Sequence, residues 1–303
     1  MKIIFWNYHN SKNLIKSPIT ITIGKFDGIH TGHQVVIQKT LQIAKDTKTK
    51  SAIFFFDPHP IEILMNLKTS KLTPYSKKIS LLSEYDFDYC VVIKFSDSFS
   101  NCSKTWFIDE LKNRFNVSNI VVGEDFKFGK NRAGNLTDLE SFFNVYKLKL
   151  TTIGNDIVST SEIIQNIKDA DFEIANKKLG RRYDVIGKVV KGKQLGRKLG
   201  FPTANLSFKD EYMIPKVGIY AGYAWVKGKK YKAAISIGYT PTIDTRKTPI
   251  VEAHLLDFSH NIYNFNLKLE FVKWIRAEQK FNSLQELKSA ISIDVEKIRE
   301  TLD

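Results

Sequence analysis

The pattern of hydrophobic residues changes near residue 180, and this change constrains the fold more than any other feature of the chain. Before it, short β-branched or aromatic runs at 19–24, 51–58 and 119–126 alternate with stretches of helical spacing such as 35–46. Strands that alternate with helices indicate βαβ units and a parallel sheet. We therefore predict a first, α/β domain over residues 1–180.

After residue 180 the strands follow one another with short turns between them. The predicted strands are 183–190, 218–226, 230–238, 249–258 and 267–275. Closely spaced strands without helices between them indicate an antiparallel barrel or sandwich. The last segment is predicted to be a helix, with Ser283 as N-cap, Glu286 completing a capping box, and an apolar stripe that packs on the strands. These features define a second domain over residues 181–303.

Length, charge and cysteine content limit the class of protein. The 303 residues correspond to about two domains, and no apolar run reaches the roughly 18 residues of a membrane-spanning helix. Cys90 and Cys102 do not form a disulfide framework, and no signal peptide is visible, so we expect a cytoplasmic protein. The net charge of +14 favours anionic partners such as nucleotides, RNA or acidic membranes. A solvated lysine-rich surface is the simpler alternative.

Three predicted strands of the first domain end in loops that carry polar side chains, at 24–33, 57–59 and 123–128. In open α/β sheets, ligands bind beyond the carboxyl ends of strands. A glycine turn before a helix lets the backbone approach a phosphate, and the start of the helix attracts anions. His30 and His33, three residues apart, are therefore predicted to contact a triphosphate.

Neighbouring acids and histidines complete this candidate site. Asp27 is predicted to orient the turn, while Asp57 and His59 approach from the next strand end. Three alternatives remain open: a zinc site formed with Asp57 or His59, an ordinary Asp-Gly turn, and a strand-ending DPHP turn without chemistry.

The second domain contains the glycine-rich stretch GKQLGRKLGFPTAN at 192–205. Its glycines, Gly192, Gly196 and Gly200, suit a backbone that wraps around a nucleotide. Thr203 and Asn205 offer hard oxygen ligands for magnesium held jointly with ATP phosphates. Glu252, flanked by apolar residues on a predicted strand, is a candidate general base. The alternatives are a glycine-rich hairpin and an exposed strand glutamate.

The motifs GKFDGIHTGH, FFFDPHP and VVGEDFKFGKNRAGN resemble, in order and spacing, the adenylyltransferase module of the bacterial bifunctional riboflavin kinase/FAD synthetase family. That family belongs to the HxGH nucleotidyltransferases, so the resemblance implies a Rossmann-like first domain. It implies that His30 and His33 contact the phosphates of ATP. Our own prediction adds Gly24, Lys25, Asp27, Asp57 and His59 to the ATP site. The residues implied at the nucleotide and FMN site are Gly123, Asp125 and Phe126.

The chain departs from that pattern at two places. Lys25 stands where the family usually has asparagine. The family signature ISSTxIR appears here as VSTSEII at 158–164, in which Ile164 occupies the arginine position and Glu162 is acidic. The hydroxyls that remain are those of Ser159, Thr160 and Ser161, which the resemblance places on the triphosphate. Isoleucine offers no donor to phosphate, and Lys25 is our hypothesis for the source of the missing charge.

GFPTAN, VEAHLLDF and RAEQKF are similar to the riboflavin kinase module of the same family. The resemblance implies a mainly antiparallel β-barrel with a C-terminal helix. It implies that Thr203 and Asn205 lie at magnesium and phosphate, and that Glu252 is the base for the ribityl 5′-hydroxyl. The residues implied to border the flavin are Arg276, Glu278 and Phe281.

The resemblance as a whole implies a two-activity enzyme. The second domain would phosphorylate riboflavin with ATP, giving FMN and ADP, and the first would adenylylate FMN, giving FAD and pyrophosphate, both with Mg²⁺. We expect neither a nucleic acid nor a membrane as partner. One alternative is a riboflavin kinase whose first domain is degenerate or regulatory, because of Glu162 and Ile164. Another is a basic RNA-binding protein without catalysis, which would need aromatic residues interleaved with arginines on an exposed sheet.

Overall fold

The computed structural model describes residues 1–8, 14–149, 151–153, 156–192, 194–239 and 249–303. Contacts divide the chain into two units, Met1–Ser159 and Thr160–Asp303. Lys193, which belongs to the predicted glycine-rich loop, lies outside the described residues.

The first unit alternates strands with helices, as predicted. Its strands are β1 (Lys2–Trp6), β2 (Ile19–Gly24), β3 (Lys50–Asp57), β4 (Tyr89–Lys94), β5 (Val117–Gly123), β6 (Asn144–Leu148) and the two-residue β7 (Thr152–Ile153) and β8 (Asp156–Ile157). Its helices are α1 (Thr31–Asp46), α2 (Pro60–Leu64), α3 (Tyr75–Leu82), α4 (Asp97–Ser100), α5 (Lys104–Asn113) and α6 (Leu136–Glu140), with a 3₁₀ turn at Lys130–Arg132.

Within the described residues, β1 to β6 form one parallel sheet in the order β1-β4-β3-β2-β5-β6. The apolar sequences of the central strands reflect burial on both faces of the sheet. In β3, Phe54 packs into the core on one face and Phe55 into the core on the other. Strands buried on both faces have continuous apolar sequences rather than alternating ones. The edge strands β1 and β6 were not predicted, since each has exposed residues along its length.

The second unit opens with helices α7 (Thr160–Lys168) and α8 (Phe172–Leu179). Its strands are β9 (Tyr183–Val190), β10 (Ala204–Ser207), β11 (Gly218–Val226), β12 (Lys229–Tyr239), β13 (Pro249–Leu255) and β14 (Asn266–Arg276). Within the described residues these strands are all paired antiparallel and close into a barrel in the order β10-β13-β12-β11-β14-β9. This confirms the barrel and excludes the sandwich. The short β10 was missed because it begins inside the segment interpreted as a glycine-rich loop.

A C-terminal helix, α10 (Leu284–Leu302), packs on the barrel as predicted. Its apolar stripe includes Val295, Ile298 and Leu302, which are buried. The Ser283 hydroxyl caps the helix by accepting from the Glu286 N–H at 3.1 Å. The predicted capping box is wrong in one detail, because the Glu286 carboxylate accepts from the N–H of Asn282, one residue before the cap.

Candidate functional site

Three loops predicted to form a site start from adjacent strands of the first unit. Strand β2 lies between β3 and β5, and the three are parallel. The strands end at Gly24, Asp57 and Gly123, so the loops that follow them leave the same edge of the sheet. This is the position at which ligands bind in open α/β sheets.

The turn after Gly24 is held by a buried carboxylate. Asp27 accepts hydrogen bonds from the N–H groups of Leu72 (3.2 Å) and Thr73 (2.8 Å), and from the Thr73 hydroxyl (2.9 Å). The Thr73 hydroxyl oxygen in turn accepts from the Gly28 N–H. Gly28 has a φ of 85°, in the left-handed region that glycine adopts without steric cost. Asp27 therefore orients the turn by tying it to the loop before α3.

His30 and His33 lie together at the start of α1. His30 is the N-cap, and its Nδ1 accepts from the His33 N–H at 3.3 Å. The two rings stack with their centroids 3.7 Å apart. The Nδ1 atom of His33 is buried without a hydrogen-bond partner in the described part of the chain. Burial, followed by the charges of His30 and Lys78, lowers the pKa of His33 well below its usual value.

Asp57 and His59 lie at the end of the neighbouring strand β3, with the Asp57–Pro58 peptide bond in cis. His59 is the N-cap of α2, since its Nδ1 accepts from the Ile61 N–H, and Glu62 accepts from the His59 N–H in a capping box. Burial lowers the pKa of His59 to about 4 and raises the pKa of Asp57. The DPHP segment thus forms a strand-to-helix turn, and its polar groups lie in a partly dehydrated position.

Sequence reasoning missed Lys78, a buried lysine of α3. Its Nζ donates to the carbonyl oxygen of Lys25 at 2.8 Å, and its charge acts on His33, Asp57 and His59. The signal available in the sequence was a pair of consecutive lysines in a stretch of helical spacing; in the structure both are buried. Lys25 itself is exposed at the end of β2.

The third loop contains Gly123, Asp125 and Phe126. The Phe126 N–H donates to the carbonyl oxygen of Gly123 at 3.1 Å, which closes a tight turn. A Cβ atom at Gly123 would lie 2.9 Å from the Asp125 Oδ1, so a side chain there would displace the carboxylate. Asp125 is exposed, and the half-buried Phe126 ring stacks on Phe128 with centroids 6.0 Å apart.

The signature segment falls at the division between the two units. Ser159 is the last residue of the first unit, and Thr160 begins α7 in the second. Ser161 is exposed, and the Glu162 carboxylate is paired with the buried Lys178 ammonium at 3.1 Å. The phosphate-binding role of the three hydroxyls stays a prediction.

On the barrel, three polar side chains form one row. Asn205 on β10 pairs in register with Glu252 on β13, which pairs with Ser236 on β12. The strand neighbours of Glu252, Val251 and Ala253, are buried in the interior, so the row points outward. Side chains directly opposite each other on antiparallel strands have Cβ atoms roughly 4.5–5.5 Å apart. The barrel therefore places an amide, a carboxylate and a hydroxyl side by side; Ser236 was not predicted.

The glycine-rich segment packs against this row. A Cβ atom at Gly192 would lie 2.5 Å from the amide of Asn205, and one at Gly196 would lie 2.4 Å from the carbonyl oxygen of Phe201. Gly200 has a φ of 91°. Close approach explains the first two glycines, and backbone conformation explains the third. Between them lies a short helix, α9 (Leu195–Lys198).

A cleft of about 640 Å³ adjoins the segment. Thr203, Arg197 and His254 line it, together with residues 257–263. Ligand pockets have volumes of roughly 300–1,000 Å³, so a nucleotide would fit. The His254 Nδ1 lies 2.9 Å from the carbonyl oxygen of Pro202, which agrees with a hydrogen-bonding rather than a catalytic histidine.

The predicted flavin-bordering residues follow β14. Arg276 forms a two-pronged ion pair with the buried Asp294 of α10, with its Nε and Nη2 donating at 2.8 and 2.7 Å. Its guanidinium carbon is 5.9 Å from the centroid of the Phe281 ring. The Glu278 carboxylate lies against Gly238 of β12, two residues from Ser236. Arg276 thus joins the end of the barrel to α10, while Glu278 approaches the polar row.

Among the described residues, no group of three or more His, Cys, Asp or Glu side chains is arranged to hold a metal ion, which does not support the zinc alternative. In the same residues, no helix combines the length and apolar character required to cross a membrane.

Comparison with known proteins separates the same two parts of the chain. A family model described as FAD synthetase matches residues 12–165, and one described as riboflavin kinase matches residues 179–302. The chain is 35% identical to the Bacillus subtilis bifunctional riboflavin kinase/FMN adenylyltransferase over 282 residues, which cover 90% of this chain and 89% of the relative. It is 33% identical to the protein of that name from Listeria monocytogenes, over 92% and 91% of the two chains.

A solved structure of similar architecture is that of a Streptococcus pneumoniae protein described as a macrolide-efflux protein. It is 26% identical, has a TM-score of 0.88, and covers 98% of this chain and 99% of its own. Because two family models match successive segments, and because the curated relatives are at least 30% identical over nine-tenths of the chain, the protein belongs to the bifunctional riboflavin kinase/FMN adenylyltransferase family.

Proposed function

We propose that the barrel transfers the γ-phosphoryl group of ATP to riboflavin, giving FMN and ADP. The α/β unit then transfers AMP from a second ATP to FMN, giving FAD and pyrophosphate. We place the functional boundary between residues 180 and 181, because the first barrel strand, β9, begins just after it. Helices α7 and α8, which precede this boundary, nevertheless belong by their contacts to the unit that contains the barrel. The match to an FAD synthetase model disfavours the alternative of a kinase with a degenerate first domain.

The observation that carries the kinase proposal is the register of Asn205 with Glu252. Glu252 accepts the proton of the ribityl 5′-hydroxyl as that oxygen attacks the γ-phosphorus. Ser236, on the other side of Glu252, can donate a hydrogen bond to the carboxylate or to the substrate. The base and a ligand for the phosphate group therefore lie side by side on rigid strands, which favours the in-line geometry.

Thr203 and Asn205 fit a magnesium ion held jointly with the phosphates of ATP. A hydroxyl and an amide oxygen are hard ligands, and Gly192 leaves the space that the Asn205 amide occupies. When bound, Mg²⁺ would neutralise charge on the phosphoryl groups. We assign Gly192, Gly196 and Gly200 to the loop that covers these phosphates, and Arg276, Glu278 and Phe281 to the border of the flavin.

In the α/β unit, His30 and His33 are proposed to bind the phosphates at the start of α1. The His30 Nδ1 accepts from the His33 N–H, so the neutral ring has its proton on Nε2, from which it can donate to a phosphate oxygen. Attack on the α-phosphate needs positioning and charge stabilisation rather than covalent catalysis. Asp57 and His59 from β3 and Gly123, Asp125 and Phe126 from β5 complete the nucleotide and FMN site.

Two variants test the assignment of the two reactions. Glu252→Gln should abolish FMN formation from riboflavin while FAD formation from supplied FMN continues, and His33→Ala should have the opposite effect. Products from riboflavin or FMN with ATP and Mg²⁺ are separated by chromatography. Each reaction serves as the folding control for the other. Loss of both activities by either folded variant would show that two separate sites are the wrong description.

Lys25 is proposed to supply charge that the signature lacks at Ile164. Lys25→Ala should lower the rate of adenylylation, and Lys25→Asn, the usual residue of the family, should not restore it. Unchanged rates in both variants would contradict this role.

The charge of +14 is proposed to serve ATP, FMN and FAD rather than a nucleic acid or a membrane. A reducing cytoplasm suits the two cysteines, which are unpaired and buried.

A further inference from the structure

The buried lysine Lys78 has a fixed position beside the first strand end. Its side chain is only 6% exposed, and its Nζ lies 2.8 Å from the Lys25 carbonyl oxygen and 4.8 Å from the centroid of the Phe55 ring. Lysine is rarely buried unless its ammonium is paired, because removing the charge from water is costly. The hydrogen bond fixes the backbone at the point where the chain leaves β2 for His30.

Titratable groups from five neighbouring segments interact electrostatically with this ammonium. They are Asp27 in the turn before α1, His33 in α1, Asp57 and His59 after β3, Lys71 before α3, and Cys90 in β4. Burial lowers the pKa of Lys78 to about 8, and the two carboxylates oppose that shift. The lysine is thus mostly charged at neutral pH, with its ammonium against the backbone at the end of β2.

The histidines beside Lys78 are held in the neutral form. Burial, then the charge of His30 and then that of Lys78 lower the pKa of His33. Burial, with smaller contributions from Lys25 and Lys78, lowers the pKa of His59 to about 4. The geometry agrees, because His33 stacks on His30 at 3.7 Å and its Nδ1 is buried with no partner among the described residues. Two stacked imidazolium rings would repel each other at this distance.

We infer that Lys78 is a positioning residue for adenylyl transfer: its ammonium holds the turn that leads into His30 through the Lys25 carbonyl, and it places a fixed positive charge near His33 and His59. This inference rests on the proposed function of the α/β unit. The histidines and Lys78 then have different roles at the phosphates. The histidines act as neutral hydrogen-bond donors, and the buried lysine supplies a fixed positive charge near them.

Three variants test the role. Lys78→Met removes the ammonium, Lys78→Arg retains a charge, and Lys77→Met removes the adjacent lysine of α3, which is buried to a similar extent. Misplacement of a catalytic group by about 1 Å can cost 100-fold in rate, so Lys78→Met should lower kcat for FAD formation by roughly 10- to 100-fold. Lys77→Met should not. Riboflavin phosphorylation by the barrel reports that each variant is folded.

The pH profile provides a readout that a purely structural lysine would not change. The kcat/KM for ATP reflects groups in the free enzyme, so in the unmodified protein it should fall as pH rises through about 8, where Lys78 loses its proton. Lys78→Arg should move that fall to higher pH, and Lys78→Met should abolish it. Imidazole NMR should show higher pKa values for His33 and His59 in Lys78→Met.

Three results would overturn the inference. Lys78→Met could keep the kcat and pH profile of the unmodified protein, or Lys77→Met could lose as much activity as Lys78→Met. Either result would leave the proposed adenylylation intact. Absence of FAD formation by the unmodified protein would refute the proposed function and this inference with it.

Discussion

Replacement of Asp27 should weaken the first unit by an amount that follows from its hydrogen bonds. The carboxylate is 6% exposed and accepts from the Leu72 N–H, the Thr73 N–H and the Thr73 hydroxyl. A buried donor left without an acceptor costs about 1–3 kcal/mol. Asp27→Ala leaves the N–H groups of Leu72 and Thr73 without an acceptor, whereas the Thr73 hydroxyl can rotate toward another one. The free energy of unfolding should therefore fall by about 2–6 kcal/mol. Asp27→Asn keeps one oxygen and should cost about 1–3 kcal/mol.

Hydrogen exchange in a urea series, read peptide by peptide, measures this effect for each unit separately. Peptides covering β2, β3 and residues 72–73 should lose more protection in Asp27→Ala than in Asp27→Asn. Protection of the barrel peptides should not change in either variant. Asp46→Ala, an exposed carboxylate at the end of α1, is the matched control and should stay within about 0.5 kcal/mol. Equal losses in the alanine and asparagine variants, or none in either, would refute the claim that these hydrogen bonds hold the turn.

Other predictions concern the barrel and the thiols. Asp294→Ala leaves the Arg276 guanidinium without its buried partner and should destabilise the barrel by about 3–5 kcal/mol. In a double-mutant cycle, the protein with both Arg276→Ala and Asp294→Ala should be more stable than the sum of the two single effects predicts. Additive effects would contradict a direct interaction between the two side chains. Gly192→Ala should displace the Asn205 amide and lower the rate of FMN formation by about 10-fold or more. FAD formation from supplied FMN should not change. Normal kinase activity would contradict the close approach of Gly192 to the Asn205 amide. Burial raises the pKa of Cys90 to about 12, so it should resist thiol reagents at pH 8 until the protein is unfolded, and rapid labelling of the native chain would contradict this.

Some of the architecture could be predicted because it depends on local sequence patterns. The short apolar runs at 19–24, 51–58 and 119–126, alternating with helical spacing such as 35–46, indicate a parallel sheet whatever the order of its strands. The barrel strands β9 and β11 were predicted with their observed bounds, since turn residues flank each strand and more and less buried positions largely alternate along it. The edge strands β1 and β6 could not be predicted, because pairing with a neighbour rather than burial defines them.

The candidate sites show the same division. Local sequence shows which residue types stand at strand ends and on the barrel: the histidines at 30 and 33, the threonine at 203 and the carboxylate at 252. The pairing of Ser236 with Glu252, and the proximity of Lys78 to histidines 45 or more positions away, depend on how the strands and helices pack. The physical reason is that strand register and helix packing bring together residues distant along the chain, and no local periodicity contains that information.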